Sequence, residues 1–256
     1  MIVEYIQHLR VAKPLAVAIV GAGGKTTLMK ELGCLLPGML ISTTSTKLAA
    51  DTALFFDRHA QLKGKQPVFG LFDEPQVKKM LITDHTFNDE KKLEGLNPHQ
   101  LESLHQLCHE NQATLLIEAD GARHRQLKAP AVWEPVIPPF SNLVIYVVGC
   151  EIFGKTLNED NVFRSEIFAS LTNSSPGELI HPGMLSRYLR HPEGGQKGIP
   201  GSAKKLLFFT QFASQFSHLA EIEMVVNHLD GAFDSVFVGL FSKGGERHLM
   251  QSRKLL

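Results

Sequence analysis

The chain has 256 residues, with 26 Lys and Arg against 26 Asp and Glu, so no overall basic field draws nucleic acid and no acidic tail is present. That length buries a large core without metal or disulfide staples, and no stretch approaches the roughly 18 apolar residues that span a bilayer. The three cysteines, Cys34, Cys108 and Cys150, lie far apart in apolar segments, which suits reduced, buried thiols of a cytoplasmic protein and offers no zinc site.

The opening stretch MIVEYIQHLRVAKP mixes charged with apolar residues and does not read as a signal peptide. Beyond it, apolar β-branched runs alternate with amphipathic segments, the pattern of a mostly parallel sheet flanked by helices. Strands are predicted at residues 15–20, 39–43, 114–119, 143–148, 205–209 and 235–240. Helices are predicted at 25–35, 98–111, 162–171, 182–189 and 212–229. The second of these helices has a marked start: Asn97 caps, Pro98 fits the first helical position, and Gln100 closes a capping box. The pattern weakens over 51–96, which reads as an insertion within a single α/β domain spanning 1–256. A second irregular stretch, RHPEGGQKGIPGSAKK, reads as a surface loop, with 194–201 a candidate lid or docking element.

VGAGGKTT, residues 20–27, joins the first strand to the first predicted helix. Ile19 stands where the usual P-loop pattern has its first glycine, so the formal motif fails. The shortened order Gly-x-x-Gly-Lys-Thr-Thr still has the physical parts. A helix start presents unpaired N–H groups and a positive dipole end, which favour an anion. Gly21, Ala22, Gly23 and Gly24 let the backbone approach phosphate oxygens, Lys25 neutralises them, and the Thr26 and Thr27 hydroxyls add polar contacts, Thr26 being suited to Mg²⁺. The same order is similar to the loop of Mur-type ligases.

Two further strand ends point to the same rim of a parallel sheet. STTSTK, residues 42–47, places Thr43, Thr44 and Lys47 there, either as ligands to phosphate, substrate or metal-bound water, or as caps of the next helix. IEADGARHRQLK places Glu118 and Asp120 two residues apart at a strand end, on one face if the strand runs straight. Acids in that position hold Mg²⁺ or orient an attacking group, and the cations that follow, Arg123, His124, Arg125 and Lys128, are suited to substrate anions. The reading assigns Mg²⁺ to Thr26, Glu118 and Asp120, and catalysis to Lys25, Glu118, Asp120, Arg123 and Arg164.

Taken in order, VGAGGKTT, STTSTK, EADGARHRQLKAPAVWEPVIP, VVGCEIFGKTL, NVFRSE and HPEGGQKGIPGSAKK resemble the YqeC family over roughly residues 10 to 215. Proteins of that family are named as accessory proteins of selenium-dependent molybdenum hydroxylases. The resemblance implies a P-loop NTPase-like, nucleotide-binding protein of bacterial cytoplasm, acting in maturation of a molybdenum hydroxylase. In NVFRSE, Arg164 and Glu166 match the family's His-Arg-Pro-Glu, while Phe163 replaces the histidine. Related sequences tend to carry an Asn-x-x-Asp run where this chain has Thr210, Gln211 and Ala213, so no carboxylate is offered to guanine and ATP is favoured over GTP.

His105, Cys108 and His109 share a predicted helix, but Cys108 belongs to its apolar face and a solvated helix face is the better reading. SKGGER, residues 242–247, lacks the Gly-Lys-Thr order and reads as a turn between strands. Two functions remain: an NTPase or NTP-dependent transferase, or a non-catalytic carrier of a phosphorylated, molybdopterin-type cofactor. The expected partners are nucleotide and a molybdenum hydroxylase client or cofactor intermediate, with no nucleic acid and no membrane.

Overall fold

Strands buried on both faces are rich in apolar residues, as the runs 16–21 and 143–149 of this chain are along their whole length, and such runs pair side by side with helices over both surfaces. The computed structural model describes residues 2–10, 14–67, 70, 72–73, 76–85, 91–211, 217–241 and 249–256. Its helices are α1 (Ile2–Arg10), α2 (Lys25–Leu35), α3 (Pro98–Glu110), α4 (Ser165–Thr172), α5 (Pro182–Arg190) and α6 (Leu219–Val226). Its strands up to the middle of the chain are β1 (Ala16–Gly21), β2 (Leu40–Thr44), β3 (Lys47–Ala49), β4 (Arg58–Gln61), β5 (Lys79–Thr83), β6 (Lys92–Glu94) and β7 (Thr114–Glu118). The remainder are β8 (Leu127–Lys128), β9 (Leu143–Gly149), β10 (Val162–Phe163), β11 (Lys204–Gln211), β12 (Ser235–Phe241) and β13 (Leu249–Lys254).

Nine strands form one sheet in the order β13-β12-β11-β9-β1-β7-β2-β5-β4. Eight run parallel, and β13 closes one edge antiparallel to β12. The architecture is α/β, consistent with a P-loop NTPase-like fold. Val17 and Ile19 of β1 face Leu28, Met29 and Leu32 of α2 and Ile2 and Ile6 of α1. Ala18 and Val20, one residue out of phase, face the side covered by α4, α5 and α6. The same side of β7, through Leu115 and Ile117, carries α3. Strand β1 is therefore central, and the chain leaves it toward β2 on one side and later toward β9 on the other. Ligands bind at such a switch point, beyond the carboxyl ends of the strands.

The capping box of α3 forms in full: Gln100 N donates to Asn97 Oδ1 and Asn97 N to Gln100 Oε1, both at 3.0 Å. Four expectations are corrected. Residues 162–163 are strand β10, paired with β8, and α4 starts only at Ser165, because the Glu159 carboxylate accepts from Ser165 N at 2.6 Å and Arg164 adopts a left-handed φ of +61°. The last predicted helix is confined to Leu219–Val226 among the described residues, and 212–216 lie outside them. Cys34 is exposed, since it sits on the outer side of α2, while Cys108 and Cys150 are buried. The glycine-rich segment is packed down: a Cβ on Gly194 or Gly195 would lie 2.5–2.6 Å from backbone atoms of Tyr188 or Leu189, and Gln196 Nε2 donates to the Leu189 carbonyl. It is a buttress of α5 and not a lid. SKGGER falls outside the described residues.

Candidate functional site

The turn after β1 spans three residues, and its geometry excludes side chains. Gly23 has φ +81°, and a Cβ there would lie 2.4 Å from Gly149 N and 2.6 Å from Gly149 Cα. Gly24, the N-cap of α2, has φ +134° and brings no capping side chain, so the first amides of α2 are left to whatever occupies the space in front of them. Gly21 N donates to Asp120 Oδ2 at 3.1 Å, Ala22 N to the Val147 carbonyl at 2.9 Å, and the Thr210 hydroxyl at the end of β11 to the Gly23 carbonyl. Three neighbouring strands thus hold the loop.

Two carboxylates meet its lysine and threonine. Lys25 Nζ donates to the Gly21 carbonyl at 2.7 Å and lies 3.1 Å from Asp120 Oδ1 and 4.0 Å from Glu118 Oε1. Thr26 Oγ1 donates to Glu118 Oε2 at 2.7 Å. Glu118 and Asp120 come together as the spacing predicts. Burial pushes the Glu118 carboxyl above its ordinary range, and Lys25 and the Thr26 hydroxyl only partly oppose that. Asp120 Oδ1 is buried without an aligned hydrogen-bond donor; its contact with Lys25 is an ion pair alone.

The charges continue as a chain. Lys128, whose side chain is 1% exposed, lies 3.1 Å from Asp120 Oδ2 and 2.8 Å from Glu134 Oε2, and donates to the Gly121 carbonyl at 2.8 Å. Glu134 then takes Arg164 with both oxygens, from Nη1 at 2.6 Å and Nη2 at 3.3 Å. Burial alone would raise the Glu134 carboxyl, but hydrogen bonds from Arg164 and Lys128, with their charges, hold it below the usual range. Under the chain the Tyr188 hydroxyl donates to the Lys128 carbonyl at 2.7 Å and pairs with Tyr146. Signs alternate from Glu118 through Lys25, Asp120, Lys128 and Glu134 to Arg164, so three cations face three carboxylates.

Above it lies a cleft of about 660 Å³, with seven Lys and Arg side chains against three carboxylates on its walls. Gly23, Gly24, Lys25, Thr26 and Thr27 line one part, Lys47 and Glu118 another, and Arg123 and Arg164 a third. Gly21, Ala22 and Asp120 support the loop from behind. Thr43 and Thr44 are fully buried: the Thr44 hydroxyl donates to the Glu118 carbonyl at 2.8 Å and so aligns β2 with β7. Lys128, expected among substrate-binding cations, is instead buried in the ion-pair chain. Sequence reading gave Glu134 no role. Its signal is an acid within an apolar, proline-rich run, six residues after a lysine on a strand.

The residues present fit Mg²⁺ and a phosphate-bearing ligand. Among the described residues no group of three His, Cys, Asp or Glu could hold a metal by itself, but Mg²⁺ takes one or two carboxylates and completes its shell with ligand phosphates and water. Thr26 and Glu118 would hold it, and the open amides of α2 with Lys25 would hold the phosphates.

The sequence profile described as YqeC protein matches residues 17–166, a span that begins within β1 and includes both carboxylates, Lys128, Glu134 and Arg164. A protein of Escherichia coli (strain K12), described as "Uncharacterized protein YqeC", is 29% identical over 223 residues, covering 83% of this chain and 82% of the relative. No solved structure matches.

Proposed function

The chain belongs to the YqeC family, and we propose that it is a Mg²⁺-dependent nucleotide-binding protein, an NTP hydrolase or NTP-dependent transferase that uses ATP in preference to GTP. Its service is that of an accessory factor in maturation of a molybdenum hydroxylase, which the family resemblance implies. The observation that carries the nucleotide reading is the joint placement of Lys25, Thr26 and Glu118 at the uncapped start of α2, on the floor of a cation-rich cleft.

In this reading the α2 amides and Lys25 bind and orient the phosphates, and Lys25 moves its ammonium from the Gly21 carbonyl toward them. Mg²⁺, when bound, supplies charge neutralisation and Lewis acidity at the phosphates. Glu118 and Thr26 fix its place, Asp120 keeps Lys25 and the loop in position, and Arg123 or Arg164 offsets developing charge. Catalysis is then positioning and electrostatics.

Turnover separates this reading from a carrier of a phosphorylated cofactor. Phosphate release from ATP is expected in the wild type and is expected to fall at least about a hundredfold in Glu118→Gln and Asp120→Asn. Nucleotide binding with no release, and no change in either variant, would leave the carrier.

A further inference from the structure

The wall formed by Arg123, Phe163 and Arg164 carries more cation than the buried network explains. Lys25, Lys128 and Arg164 balance Glu118, Asp120 and Glu134 through the contacts given above. Arg164 is spent within that balance: both terminal nitrogens bind Glu134, and Nη1 also donates to the Ala129 carbonyl at 3.2 Å. Arg123 has no carboxylate partner among the described residues. Its guanidinium carbon lies 5.0 Å from the centre of the Phe163 ring, and that of Arg164 lies 4.2 Å from the same centre.

One phenyl ring therefore supports two guanidinium groups in a cleft, where they repel each other and only one has a carboxylate partner among the described residues. Ring contact with a guanidinium is favourable and fixes its plane. Consecutive left-handed residues, Arg123 at φ +47° and His124 at φ +62°, turn the chain so that both side chains line the cleft. A planar cation held on an aromatic face, with its donors unspent, matches the two oxygens of a phosphate or carboxylate. Lys25 is separated from Arg164 by the intervening Asp120, Lys128 and Glu134, so the loop and this wall are distinct centres of positive charge.

We propose that the Arg123–Phe163–Arg164 wall is a second oxyanion subsite, which takes the anionic group of a small-molecule co-substrate while the phosphate loop holds the nucleotide. This rests on the nucleotide reading only for the identity of the loop's occupant. Phe163 is then the residue that positions Arg123.

The test is calorimetric titration of inorganic phosphate into the full chain without nucleotide, for wild type, Arg123→Gln and Lys25→Met. Arg123 is exposed, so its variant folds, and thermal unfolding checks the buried Lys25→Met. Wild type is expected to bind two phosphates. Arg123→Gln should weaken one by roughly tenfold or more, and Lys25→Met should remove the other. A single event that Arg123→Gln leaves unchanged, or no binding at all, would overturn the proposal. Repeating the titration with Mg²⁺ and a non-hydrolysable ATP analogue present distinguishes a second molecule from the nucleotide's own phosphates. The Arg123-dependent event should persist; its disappearance would assign the wall to the nucleotide and refute a separate subsite. Failure of the analogue to bind would sink the nucleotide reading, while the nucleotide-free titrations would still decide the subsite.

Discussion

Replacing Lys128 by methionine keeps the length of the side chain and removes its charge from between two carboxylates. Lys128 has contacts of 3.1 Å to Asp120, 2.8 Å to Glu134 and 2.8 Å to the Gly121 carbonyl, at 1% side-chain exposure. Breaking a buried pair by deleting one partner costs about 3–5 kcal/mol, because the other partner stays buried without its counter-charge. Here Lys25 still serves Asp120 and Arg164 still serves Glu134, which places the loss near 3 kcal/mol, at the lower end of that range. Glu134 supplies the pH dependence. Its carboxyl is held below the unfolded range, so its contribution is present above the unfolded value and fades as pH falls through the folded one. The deficit of Lys128→Met should therefore be largest at neutral pH and shrink in acid. Urea unfolding at neutral and acidic pH reads both effects, and adding Glu134→Gln should recover part of the loss through coupling of about 1 kcal/mol or more. A loss under about 1 kcal/mol at neutral pH, or strict additivity in the double variant, would refute the ion-pair chain as described.

Thr26→Val removes the hydroxyl that binds Glu118, so Mg²⁺-supported ATP affinity should fall roughly tenfold while Mg²⁺-free affinity stays the same. In wild type the Mg²⁺ support should weaken as pH falls toward the raised Glu118 pKa, where the carboxylate takes up a proton; calorimetry across pH reads this. Gly23→Ala sets a Cβ 2.4 Å from Gly149 N at a positive φ, and should destabilise the fold by roughly 2–5 kcal/mol in urea unfolding. Thiol labelling of the folded protein should modify Cys34 and spare Cys108 and Cys150, which are buried and whose thiols burial pushes up.

What the sequence made legible follows burial. Strands β1 and β9 are apolar throughout, and β7 is apolar between Thr114 and Glu118, because helices cover both their faces, and their residues announce it. The edge strand β4 reads Arg-His-Ala-Gln, has no fully buried residue, and carries no periodic signal; β13 at the other edge reads Leu-Met-Gln-Ser-Arg-Lys. Helix α1 was unassigned although Ile2 and Ile6, four apart, are buried under β12, with Tyr5 5.5 Å from the Phe237 ring. Two strands within 51–96, β4 and β5, extend the main sheet. At the site, Lys25, Thr26, Glu118 and Asp120 were legible because strand ends and a glycine turn fix them locally. Glu134 was not, since its partners come from β8 and from Arg164, thirty residues on, and only the fold brings them together.

The central claim is that the shortened glycine loop and its lysine form a Mg²⁺-dependent nucleotide site. Calorimetric titration of ATP and GTP, with and without Mg²⁺, into wild type and Lys25→Ala tests it most directly. The account predicts Mg²⁺-dependent binding, tighter for ATP, that is lost in Lys25→Ala. Binding that survives Lys25→Ala with its Mg²⁺ dependence intact, or wild-type protein that takes neither nucleotide, would contradict it.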